Sequence, residues 1–262
     1  MFDQSFIKKL HAIVRQAGKF ILEESKNFDK SNIQHKNTYD LVSYVDIQTE
    51  KYLTEQLSCL FSEAGFLAEE THPHSEKEWL WIIDPLDGTT NFTRQLPAFA
   101  ISVALAHQNQ IQLGIVYNIP TDELFFAVKN QGAFLNNQKI SVANNSTFAS
   151  SLIATGFSVS RFDKVHAHLS IVEHIITHSL GIRRMGAAAV DLCYVACGRL
   201  DGFFEWYLNT WDVAAGALIA NEAGAVVSDF SGKDNYLYGK EIVAAQPLIY
   251  KELLSIIQTH NL

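Results

Sequence analysis

Residues 79–92 run Trp79-Leu80-Trp81-Ile82-Ile83-Asp84-Pro85-Leu86-Asp87-Gly88-Thr89-Thr90-Asn91-Phe92. Five apolar residues in succession have the texture of a strand buried on both faces. The run then breaks into two acids, a proline and a glycine, so two carboxylates are expected at the strand's tip. Unpaired anions at a core edge repel each other and are costly to desolvate. A hard cation such as Mg²⁺ relieves both problems, because it takes carboxylate oxygens and keeps positions open for phosphate. Pro85 stiffens the link between the acids, and Gly88 permits a sharp turn and close approach of a ligand. Thr89, Thr90 and Asn91 then offer N–H groups and hydroxyls to an anion. A bare Asp-Gly reads as an ordinary turn. The whole string points to metal-assisted phosphate chemistry.

Upstream, Phe2, Phe6, Leu10, Ile13, Val14, Ala17 and Ile21 recur at helical spacing, and a polar loop follows. Asp40 to Asp46 alternates like a strand or hairpin. Asp46 stands where an N-cap belongs, ahead of a second amphipathic helix carrying Leu53, Leu57 and Leu60. Capping alone accounts for that acid. The apolar run Phe66-Leu67-Ala68 ends in Glu69-Glu70, and neighbours on a strand point to opposite sides, so one of the two faces a shared site. His72 and His74 flank Pro73 and have no matching Cys or His cluster, which makes them a surface loop rather than a zinc site.

Downstream, residues 98–106, 111–117 and 123–128 read as three successive strands, with a further hairpin at 132–138. Strands in direct succession pair antiparallel. From about residue 150 the texture becomes strand, helix, strand, helix. Gly186-Ala187-Ala188-Ala189 opens one of these helices, and its small residues suit either tight packing or the approach of a ligand's hydroxyls. Glu205 ends the strand from Asp201. Asp212 reads as the N-cap of an alanine-rich helix that Gly224 stops.

The 262 residues allow one domain or two intimately packed halves, about 1–148 and 149–262. Hydrophobic content of 48% and charged content of 18% describe a globular chain. A net charge of −8 argues against a direct nucleic-acid surface. Three cysteines, with Cys193 and Cys197 four apart on an expected helix, read as buried small residues rather than a disulfide framework or zinc pair. No signal peptide and no stretch approaching the roughly 18 apolar residues of a membrane span is visible, so a cytoplasmic location is expected.

DPLDGTTNF and the later stretch WDVAAGALIANEAG, Trp211 to Gly224, resemble the two signatures of the inositol monophosphatase family. This is the Mg²⁺-dependent, lithium-sensitive sugar-phosphatase group. Asp40-Leu41-Val42-Ser43-Tyr44-Val45-Asp46 is similar to the family's D-L-V-T-x-x-D, with Ser43 for Thr. Ala68-Glu69-Glu70-Thr71 is similar to its G-E-E-[ST], with Ala68 for Gly. The resemblance implies an α+β fold, a five-layer αβαβα sandwich with an antiparallel first sheet and a mixed second sheet. It implies that Glu69, Asp84, Asp87, Asp212 and the Leu86 carbonyl hold two or three Mg²⁺ ions. Thr89, with Asp46 or Glu70, would orient and deprotonate the attacking water. Asp87, Gly88, Thr89 and Thr90 would hold the phosphate side, and Gly186, Ala187, Ala188, Glu205 and Asp212 the alcohol side. Ala187 stands where some relatives have Ser or Thr, so one sugar contact is expected to be missing.

The implied reaction is in-line attack of metal-activated water on inositol 1-phosphate, in a homodimer. Asp84 and Asp87 are three apart, which disfavours the Asp-x-Asp of a phosphoaspartyl enzyme. Fructose 1,6-bisphosphate, histidinol phosphate and adenosine 3′,5′-bisphosphate are the alternative substrates. Some bacterial members of the family act as antitermination factors, so a transcription-complex protein is the alternative partner. Arg183 and Arg184 read as plain surface or dimer-interface residues.

Overall fold

The apolar spacing at the N-terminus forms α1 (Gln4–Asn27), whose Leu10, Val14, Ala17 and Ile21 make one buried stripe. The computed structural model describes residues 2–27, 33–37, 40–71, 75–144, 147–157 and 161–260. The loop expected at His72 and His74 lies outside them. After α1 come a hairpin of β1 (Ile33–Asn37) and β2 (Asp40–Ser43), then α2 (Tyr44–Leu60), β3 (Gly65–Ala68) and β4 (Trp79–Asp87). A short helix α3 (Thr89–Arg94) precedes the meander β5 (Ala100–His107), β6 (Gln110–Asn118), β7 (Glu123–Val128), β8 (Ala133–Leu135) and β9 (Gln138–Ile140). The rest of the chain is β10 (Leu152–Thr155), α4 (Val165–His178), β11 (Gly181–Arg183), α5 (Ala188–Ala196) and β12 (Gly202–Trp206). It closes with α6 (Thr210–Glu222), β13 (Val226–Ser228), β14 (Glu241–Ala245) and α7 (Pro247–Thr259).

Strands β3 to β9 form a seven-stranded sheet in sequence order. It is antiparallel except at one edge, where β3 runs parallel to β4. The antiparallel expectation fails at that edge, where Gly65–Ala68 and Leu80–Ile83 run in parallel register. The second sheet has the order β11-β10-β12-β14-β13 and is mixed, as expected. Helices α1 and α2 cover one face of the first sheet, α5 and α6 lie between the sheets, and α4 and α7 cover the outer face of the second. The five layers are therefore αβαβα.

Side-chain size sets the spacing of these layers. Along β5, Ile101, Val103 and Leu105 face the core under α1 and α2, while Ala100, Ala104 and Ala106 face α6. Small residues on both surfaces let helix and sheet approach closely. At Gly114 on β6 a Cβ would lie 2.8 Å from the carbonyl oxygen of Ala215, and at Gly216 another would lie 2.8 Å from Leu192 on α5. The middle helices are thus wedged in by glycine and alanine. Among the described residues no helix is long and apolar enough to cross a membrane.

Candidate active site

The two acids of the 79–92 stretch do not lie beyond the end of the strand. β4 continues through them with a bulge: Asp84 pairs with Ser102 and Asp87 with Ala100. The bulge re-aims the strand. The Oδ1 of Asp84 accepts from the N–H of Leu86 at 3.0 Å. Gly88 then turns with a φ of 90°, in the left-handed region. A Cβ there would lie 2.9 Å from the Ala98 carbonyl and 3.3 Å from the Ala187 side chain, so glycine brings this turn against the start of α5.

Asp46 and Asp212 are not N-caps. Ser43 caps α2, and Asp46 is its third residue. Asp46 Oδ2 accepts from the backbone N–H of Ser43 at 2.9 Å and from its hydroxyl at 2.6 Å. Asn209 caps α6, and Asp212 Oδ2 accepts from the Asn209 N–H at 2.6 Å. Both helices begin three residues earlier than the acids suggest. The Ser43-x-x-Asp46 and Asn209-x-x-Asp212 spacings are the signal that marks the true starts.

The acids converge from four elements. Glu69 follows β3, Asp84 and Asp87 sit on β4, Asp46 on α2 and Asp212 on α6. Asp84 is held well above the ordinary carboxylate range, first by burial and then by the charges of Glu69, Asp87 and Asp212. Asp212 is raised by burial and by Glu69, against the Asn209 N–H. Burial raises Asp87 too, opposed by the N–H of Ala189, which donates to its Oδ2 at 2.8 Å. Burial pushes Asp46 up to about 6, with Ser43's hydrogen bonds opposing and Glu69 adding. Glu69 is thus the member of the Glu69-Glu70 pair whose charge acts on the cluster. Ala68 pairs regularly with Ile83, so a Cβ is accommodated at this position.

This donor set fits a divalent cation. It consists of hard oxygens, its anions raise one another, and Asp84 Oδ2 and Asp212 Oδ1 have no hydrogen-bond partner among the described residues. Among the described residues no three His, Cys, Asp or Glu side chains are placed closely enough to hold a metal ion without rearrangement. Thr89 lies beside the acids. Its hydroxyl is 3.0 Å from Asp46 Oδ1 and 3.1 Å from the Leu86 carbonyl.

The far wall comes from the second half. Ala187 is buried against Gly88, so its side chain is not open to a sugar. The first turn of α5 grips Asp87. Burial pushes Glu205 on β12 up to about 8, with the Arg184 guanidinium opposing. Gly156 makes room for it, since a Cβ at 156 would lie 2.0 Å from the Glu205 carboxyl.

Several residues here escape the reading of the sequence. Asn91 does not serve an anion: its amide donates to the carbonyls of Ala98 at 2.6 Å and Met185 at 2.9 Å, tying the two halves together. Glu50 on α2 is buried and accepts from the N–H groups of Glu70 at 2.7 Å and Thr71 at 3.0 Å, so it fixes the chain beside Glu69. Asp191 on α5 is buried with an unpartnered Oδ1, and is raised by burial and by the charges of Glu205 and Asp87. Arg184 is more than plain surface, because its charge acts on Asp87, Asp191 and Glu205. Cavity size does not mark the chemistry. A 480 Å³ cavity beside the end of α6 includes Glu222 and Lys129, already engaged by the Asn130 and Gly132 N–H groups and by Gln110.

The family pattern of the inositol monophosphatases matches residues 3–262. The chain belongs to the inositol monophosphatase family. Within it, the chain is 38% identical over 246 residues to the Nus factor SuhB of Pasteurella multocida, covering 93% of this chain and 92% of that protein. Among solved structures it is similar to the extragenic suppressor protein SuhB of Bartonella henselae, with a TM-score of 0.90 and 35% identity over 97% of this chain and 99% of that one. It is also similar to the IMPase of Thermotoga maritima, with a TM-score of 0.88, 31% identity and 95% of each chain covered. The five-layer arrangement of this inositol monophosphatase family member agrees with those structures.

Proposed function

We propose that this protein is a Mg²⁺-dependent phosphomonoester hydrolase whose preferred substrate is inositol 1-phosphate. The observation that carries the reading is the cluster of Glu69, Asp84, Asp87 and Asp212, mutually repelling acids beside the Gly88–Thr90 turn in a chain of this family. Those four side chains and the Leu86 carbonyl would hold two or three ions. Mg²⁺, when bound, supplies positive charge beside the leaving oxygen and lowers the pKa of water.

The chain's own residues do the rest. Thr89 Oγ1 hydrogen-bonds Asp46 Oδ1, so the hydroxyl can pass its proton to Asp46 as it accepts one from water. Burial brings Asp46 up to about 6, close to the range in which a base works at neutral pH. Glu70 is the alternative partner. Gly88, Thr89 and Thr90 receive the phosphate, while Gly186, Ala188 and Glu205 face the alcohol.

A second reading rests on the relatives named Nus factor SuhB, which point to a protein partner in the transcription complex. The homodimer proposal draws support from an exposed apolar stripe. Leu169 and Ile176 on α4 and Leu180 just beyond it are 50%, 56% and 70% exposed, an unusual density for a free surface. Sedimentation at micromolar concentration should show a dimer, and a monomer would overturn that part.

The deciding test is phosphate release from inositol 1-phosphate as Mg²⁺ is titrated, with wild type and Asp87→Asn. Release that needs Mg²⁺ and is lost in the variant supports the enzyme. Inertness of the wild type on this ester, fructose 1,6-bisphosphate, histidinol phosphate and adenosine 3′,5′-bisphosphate would move the function to the binding role. Binding to transcription proteins that survives Asp87→Asn would support the latter.

A further inference from the structure

We propose that His174, His178 and His260, where the C-terminal ends of α4 and α7 meet, form a site for one transition-metal dication of the Zn²⁺ class, separate from the acidic cluster. The site does not rest on the phosphatase reading.

His174 and His178 stand four apart at the end of α4, a spacing that puts both imidazoles on one face. His260 is the residue that ends α7. The two helices pack together on the outer face of the second sheet. The ring centre of His174 lies 4.3 Å from that of His178, with the planes 18° apart, and 6.2 Å from that of His260. Helical spacing puts the exposed Leu169 and Ile176 on the other flank of α4, so the trio is clear of that apolar stripe.

His178 already holds the tautomer that a metal requires. Its Nδ1 lies 2.9 Å from the His174 carbonyl, which can only accept, so Nδ1 carries the proton and Nε2 presents a lone pair. A metal-bound histidine is ordinarily supported by such a carbonyl at its other nitrogen. Burial lowers the pKa of His174, and the neighbouring His178 and His260 lower it further, which favours the neutral ring that ligates. The carbonyl ends of both helices favour positive charge at the trio. The charge of Glu252 on α7 also reaches His174 and adds an anion beside the neutral rings.

Zn–N bonds of about 2.0–2.1 Å at a tetrahedral angle set two ring centres roughly 5 Å apart. The two observed separations fall on either side of that value. As placed, the rings do not close on an ion. His174 and His260 are only half-buried, so rotation about their side-chain bonds can open the stack while His178 keeps its carbonyl bond. Three imidazoles suit a borderline ion such as Zn²⁺, whereas Mg²⁺ and Ca²⁺ prefer oxygens.

The test is Zn²⁺ titration calorimetry on the full chain with Mg²⁺ saturating, so that the carboxylates compete little for Zn²⁺. Wild type is compared with His174→Ala, His178→Ala and His260→Ala, and with His166→Ala, an exposed position earlier on α4, as the control. Wild type should take up one Zn²⁺ at micromolar affinity. Each of the three variants should weaken it by at least about tenfold, and the control should not. Because the ion ties α4 to α7, Zn²⁺ should also raise the Tm of wild type and leave that of His260→Ala unchanged. Equal affinity in wild type and the three variants, the same loss in His166→Ala, or uptake that never saturates would overturn the proposal.

Discussion

Glu50 offers a direct way to ask whether the cleft is held by its surroundings. It is 1% exposed, and its two oxygens accept from the Glu70 and Thr71 N–H groups at 2.7 and 3.0 Å. Replacing it with alanine removes two charge-assisted bonds and opens a gap beneath residues 69–71. A bond to a charged group contributes about 1.5–3 kcal/mol. Thr71 is exposed and its N–H can return to water, so the net loss should be about 3 kcal/mol. For a chain of this size that lowers Tm by roughly 6–9 °C. Glu50→Gln keeps one acceptor and turns an amide NH₂ toward the other N–H, so roughly half that loss is expected. Because Glu69 adjoins Glu70, Glu50→Ala should also shrink the rise in Tm that saturating Mg²⁺ produces, by about 1.4 kcal/mol for each tenfold loss of affinity. Circular-dichroism melts in EDTA and in Mg²⁺ read both quantities. A Tm within about 1 °C of wild type, or an undiminished Mg²⁺ response, would refute the positioning argument.

Two further outcomes follow from the same structure. Asp46 and Glu205 are raised to about 6 and about 8, and Asp84 and Asp212 are raised as well. A folded state that holds protons the unfolded chain has released loses stability as pH climbs through those raised values. The metal-free protein should therefore melt lower at the upper end of the window from about 4 to about 8 than in its middle, and Mg²⁺ should flatten the dependence; a flat or rising profile in EDTA would contradict the assignment. Gly114→Ala sets a Cβ 2.8 Å from the Ala215 carbonyl oxygen and 3.0 Å from its Cα, where only backbone can yield. A loss of about 1–3 kcal/mol by urea denaturation is expected, and a neutral result would mean that α6 is not wedged there.

The layers were legible where a local pattern carries them. The period of α1 and the runs of the β5–β7 meander needed nothing beyond their own residues. The alternation of alanine with larger residues in β5 also encodes which face meets a close-packed helix, although a buried run conceals it. The direction of β3 against β4 was not legible, because neither apolar run encodes which way its neighbour points. The acids of the cleft stand out because each ends or interrupts an apolar pattern. Asn91 and Arg184 do not: Asn91 meets a carbonyl 94 positions away, and Arg184 matters through a glycine two positions on and a carboxylate on another strand. Such residues acquire a role only when the second half closes on the first.

Asp46 and Asp212 each close the first turn of a helix while facing the cleft. Losing such a helix-start bond costs about 1 kcal/mol, a substantial share of the margin by which a domain stays folded. Drift at either position is therefore opposed by the need to fold, whether or not phosphate is ever released. A descendant of this lineage that had abandoned catalysis for a role as a binding partner would still be pressed to keep both carboxylates. Their retention alone is poor testimony to turnover, and Glu69, which starts no helix, is the better witness.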